Sequence, residues 1–263
     1  MPKVSVTVIT KNESADIDAA LQSVAWADER IVIDSGSTDD TVAIARRAAD
    51  RVEVRGWPGY AAQKNHAASI AAHDWILSID ADERVTPGLA AEVRALLASE
   101  PPAAGYRVPR VTWHLGRWIR STDWYPDPQL RLYDRRRAEW TGRYVHESVS
   151  ARGEVGTLRG ELQHFAYRDI SEHLETIDRY TTFAARQMLE EGRRAGVLQL
   201  AAHPPAAFLR NYLARGGIRD GSAGLIVSAL NSYYVFLKFA KLWELTSTAR
   251  GAGAPAGTST PST

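Results

Sequence analysis

The chain has 263 residues, 44% of them hydrophobic, and its 32 Lys and Arg nearly cancel its 31 Asp and Glu to leave a net charge of +1. That is enough apolar material for an α/β domain with a helical appendage, and the near-balance of charge gives no case for nucleic-acid binding. Cysteine is absent, which excludes a disulfide scaffold, a thiolate zinc site and a cysteine nucleophile, and suits a reducing cytoplasm.

From the amino terminus, apolar side chains alternate with Ser5 and Thr7, which predicts a strand over Val4–Thr10 rather than an export signal. Further strands are expected at 30–34, Arg51–Val54 and Trp75–Asp80, separated by Ala-rich helical patterns at 17–24, 41–49 and 61–72. Thr86-Pro87 places a capping hydroxyl before a proline at the first helical position and opens a helix to about residue 97. Such alternation calls for a Rossmann-like, mostly parallel sheet flanked by helices, which binds ligands at the carboxyl ends of its strands. Residues 1–100 are therefore expected to form a ligand-binding half. After Pro101-Pro102, residues 101–165 lose the alternation and become rich in Trp, Tyr and Arg, as the second half of the same domain. Residues 166–245 read as a C-terminal helical extension, and 246–263, nearly all Gly, Ala, Ser, Thr and Pro, as a disordered tail. The longest apolar stretch, 223–237, is interrupted by Ser228, Asn231 and Ser232 and falls short of the roughly 20 residues of a spanning helix. Contact with a membrane surface stays open.

Three strand ends carry polar motifs. The first strand ends in Thr10-Lys11-Asn12-Glu13. The second ends in Asp34-Ser35-Gly36-Ser37-Thr38-Asp39-Asp40-Thr41, which reads plainly as a turn capped by Ser37 or Thr38 with Gly36 taking an unusual backbone angle. Asp34 also lies where a carboxylate can accept hydrogen bonds from a ribose or a base. Neither G-x-G-x-x-G nor a Walker loop is present, which argues against a dinucleotide dehydrogenase and a P-loop enzyme. The fourth strand runs into Asp80-Ala81-Asp82-Glu83. Strand residues two apart share a face, so Asp80 and Asp82 can point to one ligand, and adjacent carboxylates cost free energy unless a cation compensates them. Mg²⁺ or Mn²⁺, bridging to a diphosphate, fits that need. A solvated acidic turn is the plain alternative.

Val8-Ile9-Thr10-Lys11-Asn12-Glu13, Asp34-Ser35-Gly36-Ser37-Thr38-Asp39, Gln63-Lys64-Asn65 and Asp80-Ala81-Asp82-Glu83 together resemble the successive motifs of family-2 glycosyltransferases of the GT-A fold. Trp124-Tyr125-Pro126-Asp127, Gln129-Leu130-Arg131-Leu132-Tyr133, Val145-His146-Glu147 and Asp220-Gly221 resemble the branch that includes lipopolysaccharide core glycosyltransferases. The resemblance implies a metal-dependent, inverting transferase that moves a hexose from a nucleotide-sugar, UDP-linked by family expectation, to a lipopolysaccharide inner-core or other cell-envelope acceptor. It places Thr10, Asn12, Glu13, Asp34, Gln63, Lys64 and Asn65 around the nucleotide-sugar, Asp80 on ribose or metal, and Asp82 on the metal.

Activating an acceptor hydroxyl needs a positioned carboxylate. Glu147, beside His146, is the candidate base, in competition with Asp127 and Glu83, and a surface glutamate is its plain reading. His146 would orient Glu147 or a substrate hydroxyl. Trp113, Trp118, Trp124 and Tyr125, with Arg117 and Arg120, suit a sugar or lipid-linked acceptor, although each aromatic taken alone suits core packing. Arg131 would hold a phosphate or acidic sugar, or form a structural salt bridge. Arg210, Arg215, Arg219, Lys238 and Lys241 among apolar and aromatic residues suit either an anionic membrane surface at the cytoplasmic face or plain helix packing. The competing activities are a polyprenyl-phosphate or peptide glycosyltransferase and a nucleotide-sugar-binding scaffold without turnover.

Overall fold

Alternating side chains build the sheet and its two covered faces in a computed structural model, which describes residues 1–142 and 147–251. Strands β1 (Val4–Thr10), β2 (Glu29–Asp34), β3 (Arg51–Val54) and β4 (Trp75–Asp80) are parallel in the order β3-β2-β1-β4. They are joined through α1 (Ile17–Ser23), α2 (Thr41–Ala48) and α3 (Tyr60–Ser69). Val4, Val6, Val8, Val32, Leu77 and Ile79 face one way and pack with Ile17 and Leu21 of α1 and with Leu89 and Val93. Ile9, Ile31, Ile33 and Ile76 face the other way, onto Ala67 and Ala68 of α3. The strand order reverses between β1 and β4, and a ligand crevice forms where connections leave such a point in opposite directions.

The second half is a mixed sheet, which is why it shows no strand–helix alternation. β8 (Asp127–Asp134) runs antiparallel between β4 and β6 (Gly105–His114), and β12 (Leu162–His164) is parallel to β6. β5 (Glu83–Val85) follows the acidic motif and pairs antiparallel with β12. Three residues carry no period, and the partner lies some eighty positions away, so no separate strand was expected after the acidic motif. β7 (Arg117–Ile119) and β11 (Val155–Thr157) pair with β6, and β9 (Ala138–Thr141) with β10 (Ser148–Ala151) forms a separate hairpin. α4 (Pro87–Leu96) starts as expected, with the Thr86 hydroxyl accepting from the Leu89 N–H at 3.2 Å.

The chain divides into two compact units at Arg168 and Asp169. The second contains α5 (Ile170–Glu190), α6 (Val197–Leu209), a π turn (Arg210–Ala214), a 3-10 turn (Gly217–Asp220) and α7 (Gly221–Gly251). Ala185, Met188, Phe239 and Leu242 form its core. Pro204 and Pro205 lie inside α6, where their missing N–H groups break two intrahelical hydrogen bonds, and the Pro204 carbonyl accepts from the Ser232 hydroxyl at 2.8 Å. α7 is long and apolar enough to cross a membrane by length and composition. Within its unit it packs on α5 and α6, and Lys241 Nζ donates to the Asp178 carboxylate and to Thr181 and Thr182 at 2.7–3.0 Å. The helix continues into 246–251, where a tail was expected.

Candidate active site

The loops after β1 and β2 are tied to each other. Asn12 adopts a left-handed conformation (φ 56). Its side-chain oxygen accepts from the Thr38 N–H at 2.8 Å, and its own N–H donates to the Ser37 hydroxyl at 2.7 Å. The Glu13 N–H donates to the Thr41 hydroxyl at 2.8 Å. Asp34 is fully buried. Its Oδ1 accepts from the Gly36 and Ser37 N–H groups at 2.9 and 2.8 Å, and its Oδ2 from the Ser37 hydroxyl. Gly36 (φ 85) permits the bend that brings those donors round. Asp34 therefore sits at the expected strand end with both oxygens engaged by its own turn. Asp39 in the same loop is held down to about pKa 2, chiefly by the Thr41 hydroxyl.

Three consecutive residues of α3 go to three places. Gln63, fully buried, donates from Nε2 to the Ser35 hydroxyl at 3.1 Å. Asn65 exchanges two hydrogen bonds with the backbone of Trp140, at 2.8 and 2.9 Å, and so pins β9 to α3. Lys64 is buried, with Nζ 3.0 Å from Asp80 Oδ1, 3.8 Å from Glu147 Oε1 and 4.2 Å from the centre of the Trp140 ring. A helix turns about 100° per residue, so neighbours on α3 serve different partners.

The acidic motif is divided by function of place. Glu83 is fully buried and saturated: Oε1 takes Arg131 Nη2 at 2.7 Å and Arg110 Nη1 at 3.0 Å, and Oε2 accepts from the Asp80 N–H at 2.9 Å. Arg131 also donates to Asp80 Oδ2 at 2.8 Å. Of the two readings of Arg131, the salt bridge is the one present. Burial alone would raise the Asp80 carboxyl, but the charges of Lys64 and Arg131 outweigh it and hold the group well below the ordinary range. Asp82 faces elsewhere, with Oδ2 at 3.2 Å from His164 Nε2. Burial opposes its ionisation and the His164 charge and hydrogen bond prevail, so its pKa is lowered.

Asp82 and His164 are a carboxylate–imidazole pair suited to a divalent cation. Among the described residues no group of three or more His, Asp or Glu converges on one point, so a cation here would draw its remaining ligands from water or from a bound anion. The donor set fits an ion that bridges to phosphate oxygens. The site also contains buried polar atoms with no protein partner: Thr10 Oγ1, Gln63 Oε1, Arg131 Nε and Glu147 Oε2. Each would cost about 1–3 kcal/mol if nothing ever satisfied it, and such atoms mark places built for a ligand or water.

Glu147 precedes β10 and is brought against α3 by Lys64. His146 and its neighbour Val145 in the expected motif lie outside the described residues. Trp124 joins His114 and Tyr167 in an aromatic group with centroids 5.4–5.8 Å apart. Tyr125 donates to Glu161 at 2.9 Å beneath Arg120, which also binds Glu161. Trp113, Trp118 and Phe165 form a third group. Sequence reading missed His164, Arg110 and Trp140. His164 ends a strand, where ligands collect, but a three-residue strand gives no periodic signal.

The profile of glycosyl transferase family 2 matches residues 5–153, a span that contains every motif of the first half. The chain belongs to glycosyl transferase family 2. The transferase is 32% identical over 247 residues to the lipopolysaccharide core biosynthesis glycosyltransferase LpsC of Rhizobium meliloti, covering 91% of this chain and 92% of that one. An uncharacterized glycosyltransferase of Rickettsia typhi is 31% identical over 258 residues, covering 93% and 88%. Among solved structures, the mannosyltransferase PcManGT from Pyrobaculum calidifontis, in complex with GDP-Man and Mn²⁺, matches with a TM-score of 0.54 at 17% identity, over 92% of this chain and 88% of that one. The fold of the transferase is thus GT-A, and the chain is a glycosyltransferase related to a lipopolysaccharide core enzyme.

Proposed function

We propose that the protein transfers a hexose with inversion, from a nucleotide-sugar that is UDP-linked, to a lipopolysaccharide inner-core or related cell-envelope acceptor at the cytoplasmic face of the membrane. The observation that carries this reading is the placement of Glu147: one oxygen faces Lys64, the residue that bonds Asp80, and the other is buried with no protein partner. A carboxylate so placed, next to the strand-end cluster, suits a general base. The acceptor hydroxyl gives its proton to Glu147 Oε2 as its oxygen bonds to the anomeric carbon. The bond from that carbon to the diphosphate breaks on the opposite side, which inverts the centre. Glu83 and Asp127 suit the role less well, because arginines already hold their oxygens.

On the donor side, Thr10 and Gln63 offer hydrogen-bonding capacity to the nucleoside, and Asn12, Glu13 and Asp34 shape the loops around it. Asp80, steadied by Lys64 and Arg131, presents its exposed edge to the ribose, and Asn65 holds the floor under Lys64. Asp82 and His164 would hold the divalent cation, which acts as a Lewis acid on the leaving diphosphate. The imidazole favours Mn²⁺ over Mg²⁺, which prefers oxygen ligands throughout. Trp124 and Tyr125 line the acceptor side. The lipopolysaccharide assignment is supported by the relative in Rhizobium meliloti, and metal use by the Mn²⁺ complex of the mannosyltransferase.

The deciding experiment is hydrolysis and transfer from a panel of nucleotide-sugars, with and without Mn²⁺. A UDP-sugar should be consumed only with metal, Asp82→Ala should abolish turnover, and Glu147→Gln should lower kcat by about 10²–10⁴ while donor binding persists. Binding without consumption of any donor would make the protein a scaffold. Preference for a GDP-sugar would overturn the nucleotide assignment.

A further inference from the structure

The corner between α6 and α7 has a composition unlike the rest of the chain. Residues 192–243 contain Arg193, Arg194, Arg210, Arg215, Arg219, Lys238 and Lys241 but a single acid, Asp220, which is buried. Lys241 is paired with Asp178, and the corner itself, residues 209–225, carries Arg210, Arg215 and Arg219 against Asp220, a net charge of +2. Within this basic stretch Leu209, Leu213, Ile218 and Leu225 are 54%, 57%, 57% and 44% exposed.

These side chains are gathered by close backbone packing. A Cβ at Gly224 would lie 1.8 Å from the Gly217 carbonyl oxygen, and one at Gly217 would lie 2.9 Å from the Asn211 carbonyl oxygen and 3.0 Å from Tyr212 Cα. The segments bearing Leu213, Ile218 and Leu225 therefore touch. Leu209 lies one turn before Leu213. Asn211 and Asn231 bond across the corner at 2.9 Å, and the cationic residues Arg210, Arg215 and Arg219 sit between the exposed aliphatics in sequence.

We propose that this corner docks on the surface of an anionic phospholipid bilayer, with the four aliphatic side chains entering the interface and the three arginines meeting lipid phosphates. Both halves of the composition are then used, since apolar side chains gain by leaving water and each basic residue gains from the negative surface potential. A second copy of the chain would bring like charge against like charge. A polyanionic nucleic acid would satisfy the arginines but would leave the exposed aliphatics in water. The inference rests on the proposed function only for its purpose, an acceptor carried on lipid; the surface itself is independent of the chemistry.

The test is flotation of the full chain with vesicles of phosphatidylcholine alone or with about 30% phosphatidylglycerol. At about 0.1 M salt, binding to the anionic vesicles should exceed binding to the neutral ones on the order of 100-fold, and about 0.5 M salt should release it. The exposed pair Leu213→Glu and Ile218→Glu should reduce anionic-vesicle binding at least about tenfold, since each places a charge at the interface. Donor hydrolysis in vesicle-free solution reads the transferase separately and should not change. Wild-type protein that ignores both vesicles, or binds them equally without salt dependence, overturns the proposal, and this needs no variant. So does a dimer in solution that Leu213→Glu dissociates, or RNA binding that the glutamates leave intact.

Discussion

Replacing Arg131 by Met removes the cation that Asp80 and Glu83 share while keeping a long apolar stem. The Arg131 side chain is 4% exposed, and its Nη2 lies 2.8 Å from Asp80 and 2.7 Å from Glu83. Removing one member of a buried ion pair costs about 3–5 kcal/mol, because the remaining charge stays buried without its partner. Here each carboxylate keeps another cation, Lys64 at 3.0 Å from Asp80 and Arg110 at 3.0 Å from Glu83, so the lower end, about 3 kcal/mol, applies. For a folding unit of the size of Met1–Arg168, that lowers Tm by about 6–12 °C. Calorimetry or circular dichroism of wild type and Arg131→Met at neutral pH measures it, and donor and acceptor KM values are taken on the same samples. A shift under about 2 °C with a raised acceptor KM would refute the reasoning and make Arg131 an acceptor-binding group. A large shift with the donor KM raised through Asp80 would support it.

Three further outcomes follow from the same contacts. His164→Ala should raise the Mn²⁺ concentration needed for half-maximal activity by about 10–100-fold, with a smaller change when the cation saturates, as a metal titration would show. Asn65→Ala strips two hydrogen bonds from the Trp140 backbone and should cost about 2 kcal/mol, read by chemical denaturation. The Asp80 carboxyl is depressed below its ordinary 3.8, so its stabilising contribution is present above that pH and is lost as pH falls below it. Wild type should therefore lose stability more steeply than Asp80→Asn between about pH 5 and about pH 3 in an acid-titrated melting series, although the variant is the less stable of the two at neutral pH.

The first half of the chain was legible because its signals are local. Val4, Val6 and Val8 alternate with polar neighbours, and Thr86 announces α4 one residue before Pro87, so β1 and α4 need nothing distant to be recognised. The strand-end motifs were legible for the same reason. The division of labour inside them was not. Asp80, Asp82 and Glu83 look equivalent in sequence, yet Glu83 is taken by Arg110 and Arg131, Asp80 by Lys64 and Arg131, and Asp82 by His164. Every one of those partners except Lys64 lies at least 27 positions from the acid it meets, and no local period encodes such pairings.

By itself, then, the sequence determined the parallel strand order's ingredients, the ends at which ligands collect, and the residue types gathered there, because alternation, capping and turn chemistry act over a few residues. Only the tertiary structure decided that Gln63, Lys64 and Asn65 part company on successive faces of α3. It also turned Arg131 inward and put His164 opposite Asp82. Those outcomes depend on which strands pair across the sheet, and burial makes each charge seek the nearest opposite one, wherever in the chain it comes from.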